Sequence, residues 1–349
     1  MKPFSSCAAA ILMLLSLTPG IEASESAELG EYRGARDAEH PAWFKESFLD
    51  LEEDIAEAAA EGKRLVLYFW QPGCPYCAEL IQNNFAQRDI GVAMQERFNL
   101  VAVNMWGDRE VVQVGGRFFT EKTLAEALRV NYTPTLMFFN EQGRVALRLD
   151  GYVPPERFRL AIDYVSQKLE STQTFRDHVA TNDAPVAEGV LHDEDFFQAA
   201  PYDLAAAVVD GSTRPVAVFF EQKQCSQCDI LHRVILSDPA TRELADDFHA
   251  VQLDMWSETP VIRPDGTRST AREWAADLGI SYAPSIVFFD NRGREVMRID
   301  AFLKTFHTQS VFDYVLTRGY LEEPNFQRYI SARAERLREQ GIDVDIWGY

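Results

Sequence analysis

The sequence predicts an α/β protein built from two copies of one domain in tandem, each a central mixed sheet flanked by helices, with an inserted hairpin. Three observations carry this. The chain repeats itself at an offset near 150 over most of its 349 residues, the period of a whole domain and not of a solenoid. Each copy alternates short apolar runs with helical stretches. Each copy also carries one Cys-x-x-Cys just after its first apolar run, at Cys74/Cys77 and Cys225/Cys228.

The elements follow in the same order in both copies. Arg64–Phe69 is matched by Arg214–Phe219, and the cysteine pairs follow with one residue inserted just before the second pair. Met105-Trp106 matches Met255-Trp256, and Tyr132-Thr133-Pro134 matches Tyr282-Ala283-Pro284. A helical stretch opens each copy (Leu51–Ala60; Leu204–Val209). A strand follows (Leu65–Trp70; Val216–Phe220), whose length and β-branched or aromatic content suit a buried position. The cysteine pair then opens a helix (Pro75–Phe85; Ser226–Leu236), and a second strand comes next (Leu100–Asn104; Ala250–Asp254). Val111–Phe119, around Gly115-Gly116, and Pro260–Arg268, around Asp265-Gly266, read as hairpins. A third strand follows Pro134 or Pro284 (Thr135–Phe139; Ser285–Phe289). A tight turn leads to a fourth (Val145–Leu149; Glu295–Ile299), and a helix closes the copy (Pro155–Leu169; Gln309–Tyr320). A short helix at Phe175–Val179 matches Phe326–Ile330. Asn325–Gln340 places Phe326, Tyr329, Ile330 and Leu337 at helical spacing, as a docked terminal helix would.

The ends and the charge bound the function. Lys2, the apolar run Ala8–Leu17 and the small residue Ala23 read as a secretory signal over residues 1–23; an uncleaved anchor is the alternative. The expected division is then a linker at 24–40, a first domain at 41–170, a second linker at 171–189 and a second domain at 190–349 with a C-terminal helix. The formal net charge of −20 argues against a nucleic-acid partner, because phosphate backbones need a basic face. Of five cysteines, Cys7 lies in the signal, and the other four all fall in the two pairs. A bridge over two intervening residues constrains an unfolded chain little, so the spacing suits chemistry better than stability. The 147 residues between Cys77 and Cys225 are far beyond the spacing of a zinc ribbon. The six histidines form no ligand-spaced cluster, and neither metal nor cofactor is expected. His232, one turn past Cys228, is read as a surface residue, and Asp108, Arg109 and Glu110 as a solvated loop. Trp106 and Trp256 are read as core or rim aromatics.

A strand, a Cys-x-x-Cys at a helix start and a proline about 60 residues later ahead of a strand together resemble the thioredoxin fold. The intervals are 60 from Cys74 to Pro134 and 59 from Cys225 to Pro284. The Met-Trp segment, the inserted hairpin and the signal make each copy similar to the periplasmic SoxW-type thioredoxins, over about residues 43–340. The resemblance implies that Cys74 attacks and Cys77 resolves, with Cys225 and Cys228 in the same roles. A sulfur at a helix start faces unpaired N–H groups and the positive end of the dipole, which favour the thiolate. Pro75 suits that first turn. The resemblance further implies that Pro134 and Pro284 are cis, and that Pro75, Tyr76, Thr133, Pro134, Ala283 and Pro284 meet the substrate.

Departures from the pattern matter. Gly73 stands where thioredoxin has a Trp. Tyr68 and Phe219 stand where it buries an Asp that assists proton transfer, leaving Glu79 or Glu221 as substitutes. Lys223 lies near enough in sequence to favour the Cys225 thiolate. The expected function is a periplasmic thiol–disulfide oxidoreductase that reduces disulfides of exported client proteins, of sulfur-oxidation or cytochrome-maturation type. A membrane electron donor of the CcdA/DsbD type would supply it. A disulfide oxidase or isomerase, and a client-binding module with a redox-inactive second domain, are the alternatives. For the cysteine pairs themselves the competing readings are a structural disulfide or a metal half-site.

Overall fold

The computed structural model describes residues 28–183, 188–208 and 214–349. The expected signal at 1–23 lies outside these residues, as do 24–27 of the first linker and 184–187 of the second.

The first unit runs β1 (Tyr32–Arg33), α1 (Leu51–Ala60), β2 (Arg64–Trp70), α2 (Pro75–Glu79), α3 (Arg88–Arg97), β3 (Phe98–Asn104), β4 (Glu110–Gln113), β5 (Arg117–Thr120), α4 (Glu121–Ala127), β6 (Thr135–Phe139), β7 (Val145–Asp150) and α5 (Pro155–Ser166), followed by α6 (Phe175–Asn182). The second repeats it: β8 (Tyr202–Asp203), α7 (Leu204–Ala207), β9 (Val216–Glu221), α8 (Ser226–Ile230), α9 (Pro239–Asp246), β10 (His249–Asp254), β11 (Pro260–Ile262), β12 (Arg268–Thr270), α10 (Ala271–Asp277), β13 (Ser285–Phe289), β14 (Glu295–Ile299) and α11 (Thr305–Leu316), followed by α12 (Phe326–Glu339) and β15 (Val344–Asp345).

Each unit is a four-stranded mixed sheet, ordered β3-β2-β6-β7 and β10-β9-β13-β14. The first two strands are parallel and the other pairings antiparallel. Alternation along β2 explains why the sheet is covered on both faces. Val66 and Tyr68 enter one apolar cluster, and Leu65, Leu67 and Phe69 enter another.

Strand register corrects the repeat alignment. Val66 pairs with Leu100 and Phe138, whereas Ala217 pairs with Ala250 and Phe288. Strand β2 therefore matches β9 at an offset of 151, and the extra residue falls ahead of the strand and not between strand and cysteines. A continuously apolar strand hides such a slip in sequence, although it reverses which face every side chain takes.

Several boundaries also move. The cysteine helices are not continuous α-helices: α2 passes into a π-helical turn at Leu80–Asn84, and α8 into one at Leu231–Ile235. Helix α5 stops at Ser166, because Lys168 takes a left-handed φ of 58° and a 3₁₀ turn follows. Helix α11 occupies Thr305–Leu316, four residues earlier than expected. In unit two the closing helix lacks the Pro that marks its counterpart's start. Helix α7 spans Leu204–Ala207; Val209, the expected end, lies outside the described residues.

The two units touch directly. Phe302 N–H donates to the Tyr152 carbonyl at 3.0 Å, and the Tyr132 hydroxyl donates to the Arg298 carbonyl at 2.6 Å. Among the described residues no helix is long and apolar enough to cross a membrane.

Candidate active site

Both cysteine pairs are disulfide-bonded, with Cα–Cα distances of 5.3 Å in unit one and 5.1 Å in unit two. Cys74 is the N-cap of α2, and its sulfur accepts the Cys77 N–H at 3.1 Å. Pro75 takes the first helical position, where its missing N–H leaves nothing unpaired. Gly73 precedes the pair at φ 71°, a left-handed conformation that glycine adopts freely. Its counterpart Gln224 holds φ 51°, so the same backbone is kept there without glycine.

The Thr133–Pro134 and Ala283–Pro284 bonds are cis. The Thr133 hydroxyl donates to Cys74 Sγ at 3.3 Å, and the Thr133 carbonyl oxygen lies 3.5 Å from that sulfur. Gln71 orients the hydroxyl: its side-chain amide donates to Thr133 Oγ1 at 2.9 Å and accepts the Trp106 indole N–H at 2.8 Å. A chain of hydrogen bonds thus runs Trp106–Gln71–Thr133–Cys74. In unit two the Trp256 indole donates to Gln222 at 3.0 Å, but Ala283 has no hydroxyl to continue the chain. Cys225 Sγ lies 3.6 Å from the Ala283 carbonyl oxygen and accepts the Cys228 N–H at 3.0 Å.

The surroundings of the two pairs differ in polarity. Tyr68 is buried with an unpartnered hydroxyl, and burial pushes its phenol well above its usual range. It stays protonated and is no base near neutrality. Glu221 is fully buried but sits at the position of Trp70, one register step from the one expected, and accepts from His232 Nε2 at 2.9 Å. His232 is buried, which corrects its reading as a surface residue. Its Nδ1 lies 2.9 Å from Glu194. Burial alone would lower its pKa; the hydrogen bonds and charges of Glu221 and Glu194 override this and raise it. Glu79 pairs with Arg36. Asp108, Arg109 and Glu110 are exposed, as a solvated loop would be, although Glu110 opens β4 and Arg109 reaches the buried Glu121 carboxylate at 2.7 Å.

The expected site residues thus gather into two separate groups, one per unit. Cys74, Pro75, Tyr76 and Thr133 line one cavity of about 130 Å³, together with Tyr132, Tyr152 and residues of the second unit; neither Cys225 nor Cys228 lines it. Gln227, Tyr282 and Pro284 line another, smaller pocket. Tyr76 is buried: its hydroxyl accepts the Lys304 N–H at 2.8 Å, and its ring meets His307 edge-on at 4.9 Å and Trp347 at 5.1 Å. Burial pushes His307 down to about 3, which keeps it neutral. Sequence reasoning missed Gln71. The misplaced insertion set it opposite Glu221, whereas the true register sets Gln71 and Trp106 opposite Gln222 and Trp256. Among the described residues no group of three or more His, Cys, Asp or Glu side chains is arranged to hold a metal ion.

A thioredoxin-like domain family model matches residues 51–166 and again 202–316. No curated protein matches the chain. Solved structures that resemble it include a thioredoxin-fold protein from Helicobacter pylori, 21% identical, covering 35% of this chain and 81% of its own, with a TM-score of 0.32. A thioredoxin from Thermus thermophilus is 21% identical over 40% of this chain and 88% of its own, at a TM-score of 0.28. The oxidised C-terminal domain of DsbD from Neisseria meningitidis is 18% identical over 34% and 88%, at 0.25.

Proposed function

The chain belongs to the thioredoxin-like domain family, and from that premise we propose that it is a thiol–disulfide oxidoreductase with Cys74 and Cys225 as its attacking sulfurs. The observation that carries this is Cys74 at a helix N-cap, facing a cis-proline loop whose Thr133 hydroxyl donates to its sulfur. Hydrogen bonds and a helix terminus aimed at a sulfur favour its thiolate, the form that attacks disulfides.

In the dithiol state the Cys74 thiolate attacks one sulfur of a client disulfide. A Cys74–client disulfide forms, and the other client sulfur leaves as a thiolate and takes a proton. Cys77 then attacks Cys74 Sγ, which frees the second client thiol and closes Cys74–Cys77. Two electrons pass to the client, and a dithiol donor restores the pair by the reverse exchange. Cys225 and Cys228 follow the same steps.

We further place this activity in the periplasm, with exported proteins of sulfur-oxidation or cytochrome-maturation type as clients and a membrane donor of the CcdA/DsbD type. The apolar run at Ala8–Leu17 and the grouping of cysteines into pairs support this reading. With dithiothreitol as donor the chain is expected to reduce insulin, and the Cys74→Ser/Cys225→Ser double variant to lose that activity. Equal activity of double variant and wild type would refute the assignment.

A further inference from the structure

Resting on that redox reading, we propose that the chain's own C-terminal segment covers Cys74–Cys77 and must move before a protein-sized partner reaches it, so that such partners exchange disulfides faster at Cys225–Cys228. Cys74 is only 5% exposed, whereas Cys225 is half-buried between exposed Gln224 and Ser226.

The cover over Cys74 comes from outside its own unit. Ile330 and Ala334 of α12 and Ile346 of the tail line the cavity at Cys74. Gln327 occupies the cis-proline loop: its amide donates to the Asn131 carbonyl at 2.8 Å and accepts from Gln71 at 2.7 Å. These bonds tie α12 to the segment that leads into the cis-proline and to the glutamine that holds the Thr133 hydroxyl. The tail is tied down in turn. Trp347 packs on Tyr76, the Lys304 ammonium lies 4.1 Å over the Trp347 ring, and its Nζ donates to the Trp347 carbonyl at 2.7 Å. Val344 and Asp345 pair with Tyr32 and Arg33. From that N-terminal segment the Asp37 carboxylate accepts the Gly73 N–H at 2.6 Å. Both described chain ends thus converge on the loop that presents Cys74.

The repeat supplies an internal comparison. Helix α6 is the counterpart of α12, and it crosses to unit two in the same way. Arg176, at the position of Gln327, donates to the Ile280 and Met255 carbonyls at 2.5 Å and lies 4.0 Å over the Trp256 ring. Yet α6 ends at Asn182, whereas α12 runs on to Glu339 and into the tail. The extra turns and the tail cover Cys74. Among the described residues, no α6 side chain lines the pocket beside Gln227 and Pro284.

The test compares two single-site chains, Cys225→Ser/Cys228→Ser and Cys74→Ser/Cys77→Ser, each oxidised. Reduced thioredoxin serves as a protein dithiol and dithiothreitol as a small one. In either exchange the donor's two thiols become a disulfide, and the chain's disulfide takes up two electrons and two protons. The protein-to-dithiothreitol rate ratio is expected to be at least tenfold lower for Cys74–Cys77 than for Cys225–Cys228. It should rise at least tenfold when residues 341–349 are deleted. Trp347→Ala and Gln327→Ala should raise it without deletion, and they decide the matter if the deletion does not fold. Equal ratios at the two sites, or a Cys74–Cys77 ratio unmoved by these changes, would overturn the cover and leave the redox reading intact. Failure of the dithiothreitol-reduced chains, with or without the tail, to pass electrons to insulin would instead overturn the redox reading.

Discussion

The Thr133 hydroxyl is the atom that most separates the two cysteine pairs. It donates to Cys74 Sγ at 3.3 Å, held there by Gln71, while Ala283 offers Cys225 only a carbonyl oxygen. A hydrogen bond to a charged acceptor is worth more than one to a neutral acceptor, so the hydroxyl stabilises the thiolate over the thiol. Thr133→Ala should therefore raise the Cys74 thiol pKa, read from ultraviolet thiolate absorbance in the chain lacking Cys225 and Cys228. An unchanged pKa would remove Thr133 from the account. At this scale the sequence was informative about the cysteines and the prolines, whose chemistry follows from residue type. It was silent on Gln71 and misleading on His232, because register and burial decide those. A histidine four residues past a cysteine carries no mark that Glu221 and Glu194 enclose it.

Strands proved more legible than helices. Thr135–Phe139, Ser285–Phe289 and Glu295–Ile299 lie where their apolar residues and flanking turns place them. Helices α3, α4, α9 and α10 were not anticipated. They are short, and polar residues crowd their exposed faces, so the 3.6-residue period has little room to show. Their starts nevertheless carry signals. Thr120 and Thr270 each close a capping box, with Thr123 and Glu273, and Asp238-Pro239 supplies an N-cap and a first-turn proline. The π-helical turns after both cysteine pairs have no comparable signature. The terminal helix α12 was expected to dock through Phe326, Tyr329, Ile330 and Leu337; the first three are buried and Leu337 is half-buried against the same cluster. That its polar Gln327 would reach the other unit's cis-proline loop depends on how the units meet, which no local pattern encodes.

At the scale of the whole molecule the duplication sets equivalent residues against each other across the junction. Asp150 and Asp300 line one cavity there with Arg148 and Arg157. Burial, then the charge of Asp150, push the Asp300 carboxyl up to about 7, against the opposing pull of Arg298 and Arg148. The folded chain then holds a proton that the unfolded chain releases at an ordinary carboxylate pKa. Stability must fall as pH rises from that range toward about 7. Asp300→Asn should flatten this part of the curve and raise the denaturation midpoint at pH 8, as denaturant titrations across the range would show. A curve unchanged by the substitution would mean that Asp300 does not titrate in this interval.

The central claim is that these cysteine pairs exchange electrons and are not staples. Thiol labelling of the chain equilibrated across a graded series of dithiol–disulfide buffers tests it most directly. The account predicts that both pairs titrate as two-electron steps at potentials between about −120 and −270 mV, the span of thioredoxin-fold oxidants and reductants. Pairs that stay oxidised until below about −300 mV, as structural disulfides do, would contradict it.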